Sequence, residues 1–222
     1  MDGEMTKQEV LKKIREVGVV PVVRADSADE ATRLIEAVKA GGIDIFEITM
    51  TVPGAIDLIK KLVGRFGETA LIGAGTVLTP EQARNCIAAG AKFVISPALN
   101  LETIEFCKQN EITVMPGALT PTEILTAWNA GADFVKVFPS GALGGASYIK
   151  SLKAPLPHIE MIPTGGVSLE TAGDFIKAGA SAVGVGSDLI DLQALRGRRE
   201  HEITEKARRF LEIVQTARKA SK

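Results

Sequence analysis

The chain has 222 residues, 45% hydrophobic and 24% charged, an ordinary globular balance with length enough for a sizeable core. Lysine plus arginine number 26 against 27 for aspartate plus glutamate, so the net charge of -1 points to neither nucleic acid nor an acidic membrane as a partner. MDGEMTKQEV carries no apolar signal core, no apolar run approaches the roughly 20 residues that span a bilayer, and Cys86 and Cys107 stand far apart, so a reducing cytoplasm is the expected setting.

In chain order, residues 6–17 read as a helix outside the later pattern. VVPVVR, from Val19, supplies the first short apolar run, and Ser27 with Glu30 three residues on forms a capping-box pattern before ADEATRLIEAVKA. AGGIDIFEIT, from Ala40, holds the second run, and LIGAGT, after Ala70, the third. Thr79-Pro80-Glu81-Gln82 then opens a helix with proline at its first position. AAGAKFVISP, from Ala88, is the fourth run and ITVMPGA, after Glu111, the fifth. Thr120-Pro121-Thr122-Glu123 repeats the helix start, and NAGADFVKVFP, from Asn129, brings the sixth run. EMIPTGG, from Glu160, is the seventh, with Ser168 expected to cap LETAGDFIKA. KAGASAVGVGS, from Lys177, holds the eighth, and residues 200–219 read as a long last helix.

Gly42, Gly90, Gly131 and Gly179 mark an internal repeat with a period of about 40–50 residues, the length of two strand–helix units. Short strands alternating with helices imply a parallel sheet. Eight units close naturally into an α/β (β/α)8 TIM barrel, here with an extra N-terminal helix and one domain over 1–222. An open doubly wound sheet is the alternative. It would need more polar edge strands than these apolar and glycine-rich runs supply.

A barrel of this kind carries its chemistry at the C-terminal ends of the strands. Those ends are Arg24, Glu47, Thr76, Pro97, Pro116, Lys136, Thr164-Gly165-Gly166 and Gly186-Ser187. Glu47 follows Gly42, and Lys136 follows Gly131, by the same interval, which sets both at one height on the second and sixth strands. Alternate strands feed the same interior layer, so a lone carboxylate and a lone amine share one enclosed space. Either alone is costly to bury. One reading is a salt bridge that fills the barrel mouth. The other is chemical: an amine in an apolar wall has its ammonium form disfavoured and attacks carbonyls, while the carboxylate shuttles protons.

PTGGVS, from Pro163, and GVGSDL, from Gly184, end the seventh and eighth strands, where exposed backbone N–H groups bind phosphate in this fold, although glycines also simply make tight turns. Thr76 reads as a turn hydroxyl or a donor to a substrate carboxylate, and Arg24 as a solvated charge or an anion contact. Met115 and Trp128 read as packing residues. His158 and His201 are isolated, so no metal and no cofactor are expected.

EIT at 47–49, GAGTVL at 73–78, ISP at 95–97, MPG at 115–117, KVFPS at 136–140, PTGG at 163–166 and GVGS at 184–187 occur in order. Together, over residues 8–217, they closely resemble the 2-keto-3-deoxy-6-phosphogluconate aldolases, which overlap with the 4-hydroxy-2-oxoglutarate aldolases. The resemblance implies a metal-independent class I aldolase. It would reversibly split 2-keto-3-deoxy-6-phosphogluconate, or its galactonate epimer, into pyruvate and glyceraldehyde 3-phosphate. It implies Lys136 as the Schiff-base residue, Glu47 as general acid/base, Thr76 as carboxylate ligand, and Pro97 and Phe138 as pocket walls. Gly165, Gly166, Gly186 and Ser187 would hold the phosphate, in a homotrimer. Two positions depart from the pattern. Thr51 stands where many members have arginine, with Arg24 ending the first strand as in some relatives, and Ala98 follows ISP where glycine is frequent. A 4-hydroxy-2-oxoglutarate aldolase and a phosphate-binding barrel without catalysis are the competing functions.

Overall fold

The computed structural model describes residues 5–220. Eight parallel strands alternate with helices and curl into a closed ring, as expected. The first is β1 (Val19–Val23), followed by α2 (Ala28–Ala40), β2 (Ile45–Thr49), α3 (Ala55–Phe66), β3 (Leu71–Gly75), α4 (Pro80–Ala88) and β4 (Phe93–Ile95). The fifth barrel strand comes in two pieces, β5 (Thr113–Met115) and β6 (Gly117–Ala118), after α5 (Leu101–Gln109). Pro116 divides them because proline has no N–H to give to the ladder. Its carbonyl still accepts from the Lys136 amide at 2.9 Å, so the next strand keeps its register. After α6 (Pro121–Ala130) come β7 (Val135–Val137), α7 (Ala146–Lys153), β8 (Met161–Pro163), α8 (Ala172–Lys177) and β9 (Val183–Val185).

Hydrogen bonding gives two arcs, β5-β4-β3-β2-β1-β9 and β6-β7-β8. Chain continuity through Pro116 joins them at one end, and a bridge from Thr164 to Gly184 joins them at the other. The strands are buried on both faces, as parallel strands sheathed by helices must be.

α1 (Lys7–Val17) precedes the first strand and starts on a complete capping box, Thr6 with Glu9. Its buried Val10, Leu11 and Ile14 cluster with Val20, Ile45, Leu71 and Phe93 on the inward faces of the strands. The extra helix therefore plugs the end of the barrel opposite the glycine-rich strand ends. After the short α9 (Leu192–Arg196), the last helix, α10 (Glu200–Ala220), packs along the outside, and its Arg218 donates to the carbonyls of Glu16 and Ser181 at 2.7 and 2.8 Å.

Two local expectations need correction. Ser168 does not cap α8: a turn intervenes, Thr171 takes the cap position, and the Ser168 hydroxyl bonds the Glu170 carboxylate at 2.6 Å. Competition from that nearby side chain explains the delayed start. Ser27 does cap α2, but Glu30 returns to the Asp26 amide rather than to Ser27, so the reciprocal half of the box is shifted by one residue. Cys86 and Cys107 are core residues; burial pushes their thiols up to about 11 and about 12.

The plugging role of α1 has a measurable consequence. Ile14 is fully buried at that contact, so Ile14→Ala should cost about 2–5 kcal/mol of stability. Urea unfolding checks this; a midpoint shift no larger than that of a surface substitution would mean that α1 packs too loosely to matter.

Candidate active site

The strand pattern turns alternate residues inward. On β2 these are Ile45, Glu47 and Thr49, and on β7 the alternation places Lys136 between Phe134 and Phe138. Glu47 pairs with Val22 on one side and Gly73 on the other, while Lys136 pairs with Gly117 and Ile162. The two charged side chains meet across the barrel: Lys136 Nζ lies 3.3 Å from Glu47 Oε1, and both are buried. The Lys136 ammonium also sits 5.6 Å from the centre of the Phe138 ring, within cation–π range.

Gly75 has a specific part in this arrangement. A Cβ at that position would collide with the Glu47 carboxylate, so the second glycine of GAGT is the hollow in which the carboxylate lies. The chain then turns sharply. Thr76 adopts φ 58°, a left-handed conformation that costs a β-branched residue on the order of 1–3 kcal/mol. Such strain concentrates where a side chain must be aimed, and Thr76 is the strand-end hydroxyl singled out in the sequence. Pro97 follows β4, and its carbonyl abuts Gly117, where a side chain would not fit.

Beside the buried pair opens a cavity of about 380 Å³. Arg24, Phe138, Gly165, Gly166, Gly186 and Ser187 line it together, so six sequence-derived candidates from four strand ends converge. Lys136 and Glu47 are buried within the ring, and Thr76 and Pro97 stand just beyond the ends of β3 and β4; none of these four lines this cavity. Arg24 is exposed and makes no ion pair among the described residues. Of the carboxylates close by in sequence, Asp26 and Glu30 are paired with Arg196, at 2.5 and 2.8 Å. Among the described residues, no group of three or more histidine, cysteine, aspartate or glutamate side chains is placed to hold a metal ion.

Three site-forming residues had no assigned role in the sequence reading. Asp188 also lines the cavity, and burial, then Glu170, push its carboxyl above the usual carboxylate range while Lys206 opposes them. Fully buried Thr49 donates to the Val23 carbonyl at 3.1 Å and shares a hydroxyl contact of 2.7 Å with Thr51, bracing the rim just before Arg24. Thr164 closes the ring against Gly184. A hydroxyl beside a motif glycine was the available signal, but its partner lies on another strand.

This arrangement can hold a small anionic molecule in the cavity and present a buried amine, with a proton carrier beside it, to a carbonyl. Residues 10–206 match the family of KDPG and KHG aldolases. The 2-dehydro-3-deoxy-phosphogluconate aldolase of Haemophilus influenzae is 32% identical over 209 residues, covering 94% of this chain and 98% of that protein. The 2-dehydro-3-deoxy-6-phosphogalactonate aldolase of Escherichia coli is 40% identical over 172 residues, 77% of this chain and 83% of that protein. Among solved structures, the KDPG aldolase of Legionella pneumophila, with pyruvate captured as a covalent carbinolamine, superposes with a TM-score of 0.83 at 31% identity, covering 93% of this chain and 98% of that one. The chain belongs to the KDPG and KHG aldolase family.

Proposed function

We propose that this aldolase reversibly cleaves 2-keto-3-deoxy-6-phosphogluconate, or its galactonate epimer, to pyruvate and glyceraldehyde 3-phosphate through an imine on Lys136. The observation that carries this reading is the buried Lys136–Glu47 contact of 3.3 Å beneath a cavity lined by glycine turns and an unpaired arginine.

The amine of Lys136 adds to the C2 carbonyl of the 2-oxo acid, and loss of water leaves an iminium. That cation draws in the electron pair of the C3–C4 bond as the C4 hydroxyl gives up its proton, releasing the aldehyde and leaving an enamine. Protonation at C3 and hydrolysis then free pyruvate and the amine. Glu47 is the proton carrier for these steps because its carboxylate already touches Nζ in an enclosed space. Thr76 offers a hydroxyl to the carboxylate end, and Pro97 and Phe138 form apolar walls. Gly165, Gly166, Gly186 and Ser187 receive the phosphate with backbone and hydroxyl donors. Arg24 supplies a full positive charge, standing in for the arginine that Thr51 replaces. The roomy distal cavity favours this substrate over the shorter 4-hydroxy-2-oxoglutarate.

The chain acts as one domain in the cytoplasm, as a homotrimer, without metal or cofactor. No helix among the described residues is long and apolar enough to cross a membrane. Exposed Leu78 just before α4, Leu101 at the start of α5 and Leu125 in the middle of α6 offer apolar surface for subunit contact.

Borohydride reduction in the presence of pyruvate should attach the three-carbon unit at Lys136, as read by peptide mass spectrometry, and Lys136→Ala should abolish both labelling and turnover. Label on Lys150 or Lys153 with Lys136 unmodified would refute the assignment. Glu47→Gln keeps the shape and removes the proton transfer, so kcat should fall about 10²–10⁴-fold while imine trapping persists; normal turnover would reduce Glu47 to a partner for the lysine. Arg24→Ala should raise KM about tenfold or more, the loss of a charge-assisted contact, with an unchanged circular dichroism spectrum. Parental kinetics in that variant would remove Arg24 from the site.

A further inference from the structure

Lys136 and the PTGG turn lie on adjacent strands, and the loop after β7 is fastened to that turn by two backbone hydrogen bonds and by the Ser140 hydroxyl, whose one proton is shared between two carbonyls. The Ser140 amide donates to the Thr164 carbonyl at 3.0 Å, and the Gly141 amide donates to the Gly165 carbonyl at 2.9 Å. The Ser140 hydroxyl lies 3.1 Å from the Thr164 carbonyl oxygen and 2.9 Å from that of Gly165. Ser140 itself is completely buried, so these bonds do not compete with water.

The orientation of those carbonyls has a consequence for the cavity. In a trans peptide the C=O of one residue and the N–H of the next lie on opposite edges of the same plane. With the Thr164 and Gly165 carbonyls turned toward Ser140, the N–H groups of Gly165 and Gly166 must face away from it. Gly165 thereby faces β9, where Thr164 bridges Gly184. The Gly166 N–H has no hydrogen-bond partner among the described residues, and Gly166 lines the cavity together with Gly186 and Ser187. The Ser140 and Gly141 amides hold the same two carbonyls from the backbone side, and the Ser140 hydroxyl adds a side-chain restraint to them. Gly165 and Gly166 have φ 87° and 77°, values reached by glycine at little cost, and glycine passes equally readily to other conformations. The Thr171 hydroxyl bonds the Gly166 carbonyl at 3.0 Å, which fixes the far end of the turn but not the plane that carries the Gly166 N–H.

We propose that Ser140 is a positioning residue for the distal anion subsite: its hydroxyl, sharing one proton between the Thr164 and Gly165 carbonyls, works with the loop's amides to hold the Gly166 N–H toward the substrate's phosphate. This rests on the reading of the glycine-lined cavity as a phosphate site. It also ties that subsite to the strand that carries Lys136, since Ser140 is four residues beyond the lysine.

The test compares a phosphorylated 2-keto-3-deoxy sugar acid with its unphosphorylated counterpart in the parent, Ser140→Ala and Ser140→Cys. Loss of one restrained donor to an anion should raise the KM for the phosphorylated substrate about fivefold to tenfold in Ser140→Ala. The KM for the unphosphorylated substrate and the extent of borohydride trapping of pyruvate should stay within about twofold, since a hydrogen bond to the distal group is the only interaction altered. Ser140→Cys, a near-isostere with a weak donor, should fall between parent and alanine. An equal rise in KM for both substrates, or no rise, overturns the proposal, as does failure of both variants to fold, which would make Ser140 a packing requirement. If the parent itself binds the two substrates equally well, the phosphate reading fails, and this proposal fails with it; if the parent discriminates and Ser140→Ala discriminates as strongly, only the role of Ser140 is lost.

Discussion

A carboxylate and an ammonium buried against each other dictate much of this barrel's design. Either charge alone would cost several kcal/mol to take out of water, and a pair recovers that cost only when its geometry is held closely. The fold does the holding with backbone. Glu47 lies in the hollow above Gly75, and the Lys136 amide is pinned to the Pro116 carbonyl. Phe138 covers the ammonium from the next inward position of the chain. Larger side chains at the glycine would push the carboxylate out of reach, so the spare composition of β3 is a requirement of the pair rather than of the strand.

The site is divided by depth. The buried Lys136–Glu47 pair sits inside the ring, on strands whose positions are set by the whole barrel, while the glycine turns proposed to bind the anion sit at its rim. Rigid strands suit a step that needs atoms aligned to a fraction of an ångström. Turns suit a phosphate, because their free N–H groups can converge on it where strand N–H groups are already paired. Arg24 belongs with the turns. Nearby, Arg196, a residue after β9, pairs with Asp26 and Glu30, and Arg24 itself makes no ion pair among the described residues. Asp188 works the other way, bringing a carboxyl to the same cavity, and burial raises it above the usual carboxylate range.

The opposite end of the barrel is a stability device. α1 fills the ring from below with Val10, Leu11 and Ile14, and Arg218 of α10 clasps the end of α1 to the start of β9. No motif of the site lies there, in keeping with the division of labour between the two faces of such barrels.

Much of this was legible in the chain itself because its signals are local. The glycines at 42, 90, 131 and 179 announce the repeat, alternation places inward residues on each strand, and equal spacing from those glycines sets Glu47 and Lys136 at one height. Family motifs at successive strand ends added the chemistry. Helix starts were legible where the cap is made by adjacent residues, as at Thr120 with Glu123, and misread at Ser168, where Glu170 captures the hydroxyl first. The division of the fifth strand follows from Pro116 alone once the strand is recognised. What only the tertiary structure decided is every relation between distant segments: that Glu47 rests on Gly75, that Arg196 pairs with Asp26 and Glu30, that Asp188 reaches the cavity, and that Ser140 grips the turn at 164–165. Periodicity sets which face of its own strand or helix a residue occupies, but the partner across the ring depends on the stagger between strands and the path of the loops, and those are settled only when the barrel closes.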